Sequence, residues 1–151
     1  MSDINIRLAR PDEQETVSAC VNIAFTKYVE RMGRKPVPML ADYAELIARG
    51  VVYVALLQDV VVGVLVMMPD AEGLFIDTLA LHPEYQGHGL GRRLLQFAEQ
   101  YARAANLGRL HLYTNKLMTE NLSFYPHLGF VEVEHKAEHG YQRVFFEKVL
   151  P

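Results

Sequence analysis

The sequence contains a single cysteine, Cys20, and no tryptophan. One cysteine excludes an internal disulfide and therefore a disulfide-stapled scaffold. Cys20 falls on the apolar side of a predicted helix, which indicates a buried, unreactive thiol and is consistent with a reducing compartment. The longest apolar run, Val60 to Met68, is far shorter than the roughly 20 residues of a membrane-spanning helix. The N-terminus lacks the layout of a signal peptide, so we expect a cytoplasmic protein with no membrane partner.

The sequence also lacks clusters of basic residues and of metal-ligating residues. The net charge is −3 and no run of lysine or arginine occurs, so electrostatics do not suggest a nucleic-acid partner. The six histidines and one cysteine form no pair with metal-ligand spacing, so no metal is expected. A chain of 151 residues, half of them hydrophobic, is long enough for one domain with a sizeable core. No linker or repeat interrupts it, and residues 1–151 are predicted to form a single domain.

Hydrophobic periodicity predicts an α/β (α+β) protein with a mixed central sheet of about seven strands flanked by four helices. Strands are expected at residues 4–8, 51–57, 60–68, 74–81, 109–114, 130–134 and 141–149. Helices are expected to begin near Pro11 and Pro38, and to cover residues 90–105 and 119–128.

The most informative segment is Leu79-Ala-Leu-His-Pro-Glu-Tyr-Gln-Gly-His-Gly-Leu-Gly-Arg-Arg-Leu-Leu95. An apolar strand enters a loop with three alternating glycines, and the loop opens directly into a helix. Glycine allows positive φ and close approach of an anion, while the first helical turn offers free N–H groups at the positive end of the dipole. This pattern predicts a phosphate-bearing ligand. The plainer interpretation is a glycine-rich turn that binds nothing.

Two familiar phosphate motifs do not fit. A Walker loop ends in Gly-Lys-Ser/Thr, whereas this loop continues as Gly91-Arg92-Arg93. A dinucleotide fingerprint needs Gly-x-Gly-x-x-Gly near the start of the fold, whereas the spacing from Gly87 is Gly-x-Gly-x-Gly in mid-chain.

A third pattern, Gln/Arg-x-x-Gly-x-Gly/Ala between a strand and a helix, resembles the cofactor loop of the GNAT (GCN5-related) N-acetyltransferases. The downstream segment Asn121-Leu-Ser-Phe-Tyr-Pro-His-Leu-Gly-Phe130 also resembles that family, and the similarity covers nearly the whole chain. The resemblance implies the GNAT fold and acetyl-CoA as the acyl donor. It implies that the pantetheine arm pairs with the strand at Leu79, Ala80 and Leu81. Pyrophosphate contacts would come from Gln86, Gly87, His88, Gly89, Leu90, Gly91 and Arg92.

The resemblance also assigns a general acid. Tyr125 matches the position where many members carry a tyrosine, and a phenol with a pKa of ~10 stays protonated at neutral pH and can donate to a leaving thiolate. Many members place an asparagine seven residues earlier, but here that residue is Met118. Asn121 or Asn115 could take over that cofactor contact, or neither does.

The general base is less defined. An attacking amine must be neutral, so a carboxylate, a histidine or a water chain should accept its proton. Asp77 is the best candidate because a charge inside an apolar strand is costly unless it meets a cleft or a partner. A sheet residue bonded to a nearby loop explains it equally well. Weaker candidates are Glu72, His82, His111 and His127.

The acceptor is expected to lie against the segment that links the first two helices, which in the family walls the acceptor pocket. Tyr28, Met32 and Tyr43 are the predicted contacts. Arg31, Arg34 and Lys35 would suit an acidic acceptor, or they form a solvated loop.

The resulting expectation is an enzyme that moves an acetyl group from acetyl-CoA to a primary amine by direct attack in a ternary complex. Cys20 lies in the wrong element for a covalent nucleophile. The alternatives are a non-catalytic acyl-CoA sensor and an interaction protein that uses the fold alone. A homodimer is possible, and the acceptor, a small-molecule or peptide amine, is not identified.

Overall fold

The computed structural model describes residues 3–151, which form seven strands and four helices. The helices are α1 (Gln14–Met32), α2 (Tyr43–Ala48), α3 (Leu90–Ala104) and α4 (Thr119–His127). The strands are β1 (Ile4–Leu8), β2 (Val52–Leu57), β3 (Val60–Asp70), β4 (Gly73–Leu81), β5 (Arg109–Asn115), β6 (Val131–Glu138) and β7 (Tyr141–Val149). The predicted fold class and the order of elements are confirmed.

The seven strands form one mixed sheet in the order β1-β2-β3-β4-β5-β7-β6. Pairing is antiparallel between β1 and β2, β2 and β3, β5 and β7, and β6 and β7. Strands β4 and β5 pair in parallel at Leu74↔Leu110 and Phe75↔His111, near the start of each strand. A parallel pair needs a long crossover, which residues 82–108 and their helix α3 supply.

The Cα packing divides the chain into two compact units. The N-terminal unit comprises the chain up to Met67 together with Thr78–Phe97, and the C-terminal unit comprises Met68–Asp77 together with Ala98–Pro151. Organisation as a single domain stays a prediction.

In the N-terminal unit the apolar side of α1 is buried as predicted. Val17, Cys20, Val21, Ala24 and Tyr28 all lie in the core. Burial raises the pKa of Cys20 to about 11, which keeps its thiol protonated and unreactive. The helix ends at Gly33, whose φ of 74° gives the left-handed cap that glycine favours.

One predicted turn and two predicted element boundaries can be compared with the structure. The Gln58-Asp59 hairpin turn is confirmed, and both residues adopt positive φ without the favoured Asn-Gly pair. Helix α2 begins at Tyr43 rather than near Pro38, because Val37–Leu40 form a separate 3-10 turn and the Asp42 carboxylate caps α2 by accepting from the Glu45 N–H. Strand β6 runs to Glu138 rather than residue 134, because its charged second half still pairs with β7.

The C-terminal unit has two unlike sheet faces, because side chains alternate along each strand. One face carries the buried core, with Leu74, Ile76, Leu110, Leu112, Val144 and Phe146. The other face is half-buried and carries Phe75, His111, Tyr113 and Phe145 as a run of adjacent rings, with centroid separations of 5.2–5.9 Å. We call it the aromatic face.

Substitution of Gly73 by alanine should strongly destabilise the fold. Gly73 has a φ of 138°, and a Cβ there would overlap the Arg109 carbonyl oxygen and lie 2.7 Å from Arg109 Cγ. We expect Gly73→Ala to lower the free energy of unfolding by about 2–4 kcal/mol in denaturant titration. Gly108→Ala is the matched control, since a Cβ there meets nothing within 4 Å. Equal stability of the two variants would contradict the close approach of these strands.

Candidate functional site

The glycine loop lies where β4 gives way to α3, in the N-terminal unit. After Leu81 the chain makes a 3-10 turn at Pro83–Tyr85, then an open turn, and α3 begins at Leu90. Gly87 and Gly89 have φ values of 80° and 82°, and a Cβ at either would meet nothing within 4 Å. The loop therefore uses glycine for its backbone shape and leaves open space beside it.

The backbone donors of this loop are unused. The first helical bond of α3 runs from the Arg93 N–H to the Gly89 carbonyl at 3.1 Å. The six N–H groups from Gly87 to Arg92 make no well-formed hydrogen bond within residues 3–151. Successive free N–H groups at the positive end of a helix dipole form a binding site for a phosphate or another anion. This is the property that the sequence pattern predicts.

Side chains around the loop add positive charge. Arg92 is exposed in the first turn of α3. Lys27 of α1 places its Nζ 3.3 Å from Gln86 Oε1, a contact across 59 positions of sequence. Sequence reasoning missed Lys27, and no local pattern could have found it, because only the fold brings α1 to the loop. The Gln86 amide also donates to the Leu81 carbonyl at 3.2 Å, so Gln86 joins the loop to the end of β4.

Tyr125, the predicted acid, lies on α4 in the C-terminal unit. Its ring is 6% exposed and packs edge-on against Phe124 and Phe130, with centroids 5.2 and 5.5 Å away, and against Phe146 at 5.8 Å. These three aromatic rings hold the phenol in one orientation. Phe146 belongs to the buried core, so Tyr125 lies on the core side of the sheet in this unit.

Asn121 lies one helical turn before Tyr125 and has partners within the C-terminal unit. Its Nδ2 donates to Thr114 Oγ1 at 3.0 Å, and the Thr114 hydroxyl donates to Met118 Sδ at 3.6 Å. Asn115 accepts from the Leu117 N–H at 2.9 Å through its side-chain oxygen. Both candidate asparagines thus hold local structure, and a cofactor contact from either stays a prediction.

Asp77, the predicted base, is half-buried on β4. It shares a side of the strand with Phe75, so it points to the aromatic face, opposite to Tyr125. Burial raises the pKa of Tyr113, the Arg143 guanidinium opposes that rise, and the Asp77 carboxylate adds to it. The carboxylate is therefore close enough to act on the Tyr113 phenol.

The weaker base candidates have structural partners or solvated positions. His111 places its Nε2 2.8 Å from Asp70 Oδ2. His82 accepts from the Glu84 N–H at 3.2 Å through its Nδ1, so it caps the 3-10 turn before the loop. Glu72 and His127 are exposed. Of these four, His111 alone also lies within a strand, β5, between the buried Leu110 and Leu112.

The predicted acceptor contacts lie in the N-terminal unit. Tyr28 and Tyr43 are 5% and 4% exposed, and Met32 is half-buried at the end of α1. The Tyr43 hydroxyl donates to the Pro38 carbonyl at 2.6 Å, which fixes the segment between α1 and α2. The Arg31 guanidinium lies 5.0 Å from the centre of the Tyr28 ring, a cation–π distance. Their role towards an acceptor stays a prediction.

Two kinds of feature are absent from residues 3–151. No group of three His, Cys, Asp or Glu side chains in this range could hold a metal ion. No helix in the same range is long and apolar enough to cross a membrane.

Comparison with known proteins gives consistent matches. The profile of the Acetyltransferase (GNAT) family matches residues 17–130. The chain is 36% identical over 64 residues to N-alpha-acetyltransferase 80 of Mus musculus and 36% identical over 73 residues to mycothiol acetyltransferase of Beutenbergia cavernae. These matches cover 42% and 48% of this chain, but only 19% and 25% of those proteins, so the chain aligns with a quarter or less of each curated relative.

Solved structures share the fold over the full length. The PaiA N-acetyltransferase from Thermoplasma acidophilum, solved in complex with coenzyme A, aligns with a TM-score of 0.82 at 19% identity, covering 99% of both chains. A GNAT-family acetyltransferase from Streptococcus agalactiae aligns with a TM-score of 0.84 at 14% identity, covering 99% of this chain and 97% of that chain. At these identities the likeness establishes the fold alone.

Removal of the Asn121 amide should cost stability. Asn121→Ala takes away the donor to the buried Thr114 hydroxyl, which is 5% exposed. We expect the free energy of unfolding to fall by about 1–2 kcal/mol in denaturant titration. Ser123→Ala, at an exposed position of the same helix, should change it by less than about 0.5 kcal/mol. An Asn121→Ala variant as stable as the parent would contradict the bond.

Proposed function

The chain belongs to the GNAT acetyltransferase family, and we propose that it transfers an acetyl group from acetyl-CoA to a primary amine by direct attack in a ternary complex. The observation that carries the proposal is the run of six unpaired N–H groups from Gly87 to Arg92. A diphosphate supplies acceptor oxygens for such a run, and the positive φ of Gly87 and Gly89 keeps side chains out of the way.

The loop fits the phosphate end of the donor. Acetyl-CoA would supply the activated acyl thioester. Within residues 86–92, the backbone N–H groups would hold the pyrophosphate, and Arg92 would add charge. Lys27, whose Nζ contacts Gln86, joins the residues that we assign to this task. Leu79, Ala80 and Leu81 would offer backbone groups of β4 to the pantetheine arm. That the PaiA structure was solved with coenzyme A supports the choice of donor.

Two side chains would move protons. We assign Tyr125 as the general acid, because its aromatic surroundings fix the ring and a phenol holds its proton at neutral pH. We assign Asp77 as the general base that accepts the proton of the amine. The acid would act on the leaving sulfur and the base on the attacking nitrogen.

The acceptor contacts, the Asn121 contact, the cellular location and the oligomeric state are also part of the proposal. The contacts of Tyr28, Met32 and Tyr43 with the acceptor and the contact of Asn121 with the donor rest on the resemblance. A cytoplasmic location is proposed from the single cysteine, which forms no disulfide. A homodimer is proposed on the resemblance alone.

The loop assignment predicts a specific loss in Gly89→Ala. Coenzyme A should raise the Tm of the parent protein, since a ligand of the native state adds about 2.7 kcal/mol of stability at 100 times its Kd. We expect Gly89→Ala to weaken the binding of coenzyme A about tenfold, measured by isothermal titration calorimetry, because the added Cβ occupies the open side of the loop.

Gly50→Ala provides a matched control. Gly50 also has a positive φ, 73°, and a Cβ there would likewise meet nothing within 4 Å. Both variants should lose about 1 kcal/mol of stability from backbone strain, but only the Gly89 variant should bind coenzyme A more weakly. Equal affinity in the two variants would overturn the loop assignment.

The acid assignment predicts that Tyr125→Phe lowers kcat about 10²- to 10⁴-fold and leaves the Kd for coenzyme A unchanged, because only the proton donor is lost. Thiol release from acetyl-CoA over a panel of amines measures the rate. Tyr101→Phe is the control. Tyr101 is a half-buried residue of α3, and its variant should retain the parental rate. A Tyr125→Phe variant with the parental kcat would contradict the acid role. A parent protein that binds coenzyme A but acetylates no amine would favour the alternative of a non-catalytic acyl-CoA sensor.

A further inference from the structure

Arg143 of β7 is a nearly buried cation on the aromatic face of the C-terminal unit. Its side chain is 10% exposed, and its Nη1 donates to Glu138 Oε1 at 3.1 Å. Its guanidinium carbon lies 4.3 Å from the centre of the Tyr113 ring and 5.7 Å from the centre of the Tyr141 ring. Stacking on Tyr113 and the bond to Glu138 hold the planar group in place at little further entropic cost.

Most of the hydrogen-bonding capacity of Arg143 is unused. A guanidinium has five N–H donors, and only those on Nη1 have an acceptor among residues 3–151. No buried side-chain nitrogen or oxygen atom in this range is left without a partner, so Nε and Nη2 reach solvent. These two nitrogens form the edge of the guanidinium that binds a carboxylate through two parallel bonds. An arginine held in place with these donors unused is suited to binding a carboxylate.

The charges around Tyr113 alternate in sign. Arg143 and Asp77 both act electrostatically on the Tyr113 phenol, and both belong to the aromatic face. Glu138 is matched by Arg143 and by Lys136, whose Nζ lies 3.6 Å from Glu138 Oε2. Two carboxylates, Asp77 and Glu138, thus act on the same phenol as Arg143, and Glu138 is the one bonded to Arg143. An amine that carries its own carboxylate has the complementary charges, with its amino group suited to Asp77 and its carboxylate to Arg143.

We propose that Arg143 binds the carboxylate of the acceptor, so that this enzyme prefers amino acids or similar carboxylate-bearing amines. The rings of Phe75, Tyr113 and Phe145 would contact the carbon skeleton between the two charged groups. Arg143 is here a specificity-determining residue rather than a catalytic one. The inference rests on the proposed acetyltransferase function and on the role of Asp77.

The test uses matched acceptors. The nineteen standard amino acids with a primary amine, and their primary amides, are offered to the protein with acetyl-CoA, and thiol release gives kcat and KM for each. We expect kcat/KM for the preferred amino acids to exceed that of their amides by about 10- to 100-fold, because the amide lacks the charge that forms the paired bonds.

Arg143→Met keeps the aliphatic stem over Tyr113 and removes the charge. It should lower kcat/KM for amino acids by the same factor, mainly through KM, and leave the amides unchanged. Arg143→Lys should lose less, since it keeps the charge without the fork. Arg103→Met, in an exposed ion pair of α3, is the control and should match the parent on both acceptor classes. The thermal midpoint of each variant reports whether it folds.

The outcomes separate the two proposals. If the parent acetylates amides or simple amines as well as amino acids, the function stands and the role of Arg143 is overturned. If Arg143→Met lowers both acceptor classes equally, Arg143 only supports the fold. If no amine is turned over, the proposed function fails and the inference with it. The NMR signal of the Arg143 Nε–H gives a readout without turnover, because it should shift with N-acetylglycine and not with N-acetylglycinamide.

Discussion

The unpaired N–H groups between β4 and α3 are the constraint from which the function follows. A loop of six residues can leave its donors without acceptors only when solvent or a ligand reaches them, and the positive φ of Gly87 and Gly89 provides that access. The start of α3 adds the positive end of its dipole, and Arg92 and Lys27 add full charges. Backbone shape thus suits this segment to the phosphate binding that we propose, and the two cationic side chains add positive charge to it.

The alternation of side chains along β4, β5 and β7 separates the chemistry of the C-terminal unit into two environments. The core side holds Phe146, against which Tyr125 packs, and the phenol is therefore ordered and shielded. The aromatic face holds Asp77 and Arg143 beside Tyr113, where charge is partly solvated and can meet a polar acceptor. A shift of one residue in the register of these strands would exchange the two environments, which is why the register at Tyr113↔Phe145 matters for function.

The sequence predicted the parts of the molecule that depend on local patterns. The apolar side of α1, the order of strands and the glycine loop follow from periodicity, glycine placement and helix start signals, and all are found in the structure. Strand β6 was predicted too short, because both of its faces are exposed and no apolar alternation marks its second half. Lys27 and Arg143 escaped notice because their partners are distant in the sequence: Lys27 contacts Gln86, and Arg143 contacts Tyr113.

The most direct measurement is an NMR titration of the backbone amides with coenzyme A and, separately, with pantetheine, which lacks the pyrophosphate. We expect the amide signals of Gly87 to Arg92 to move with coenzyme A and to stay in place with pantetheine, since free donors in this run would bind the diphosphate. Shifts of the same amides by both compounds, or no shift by coenzyme A at saturating concentration, would contradict the assignment of this loop as the phosphate site.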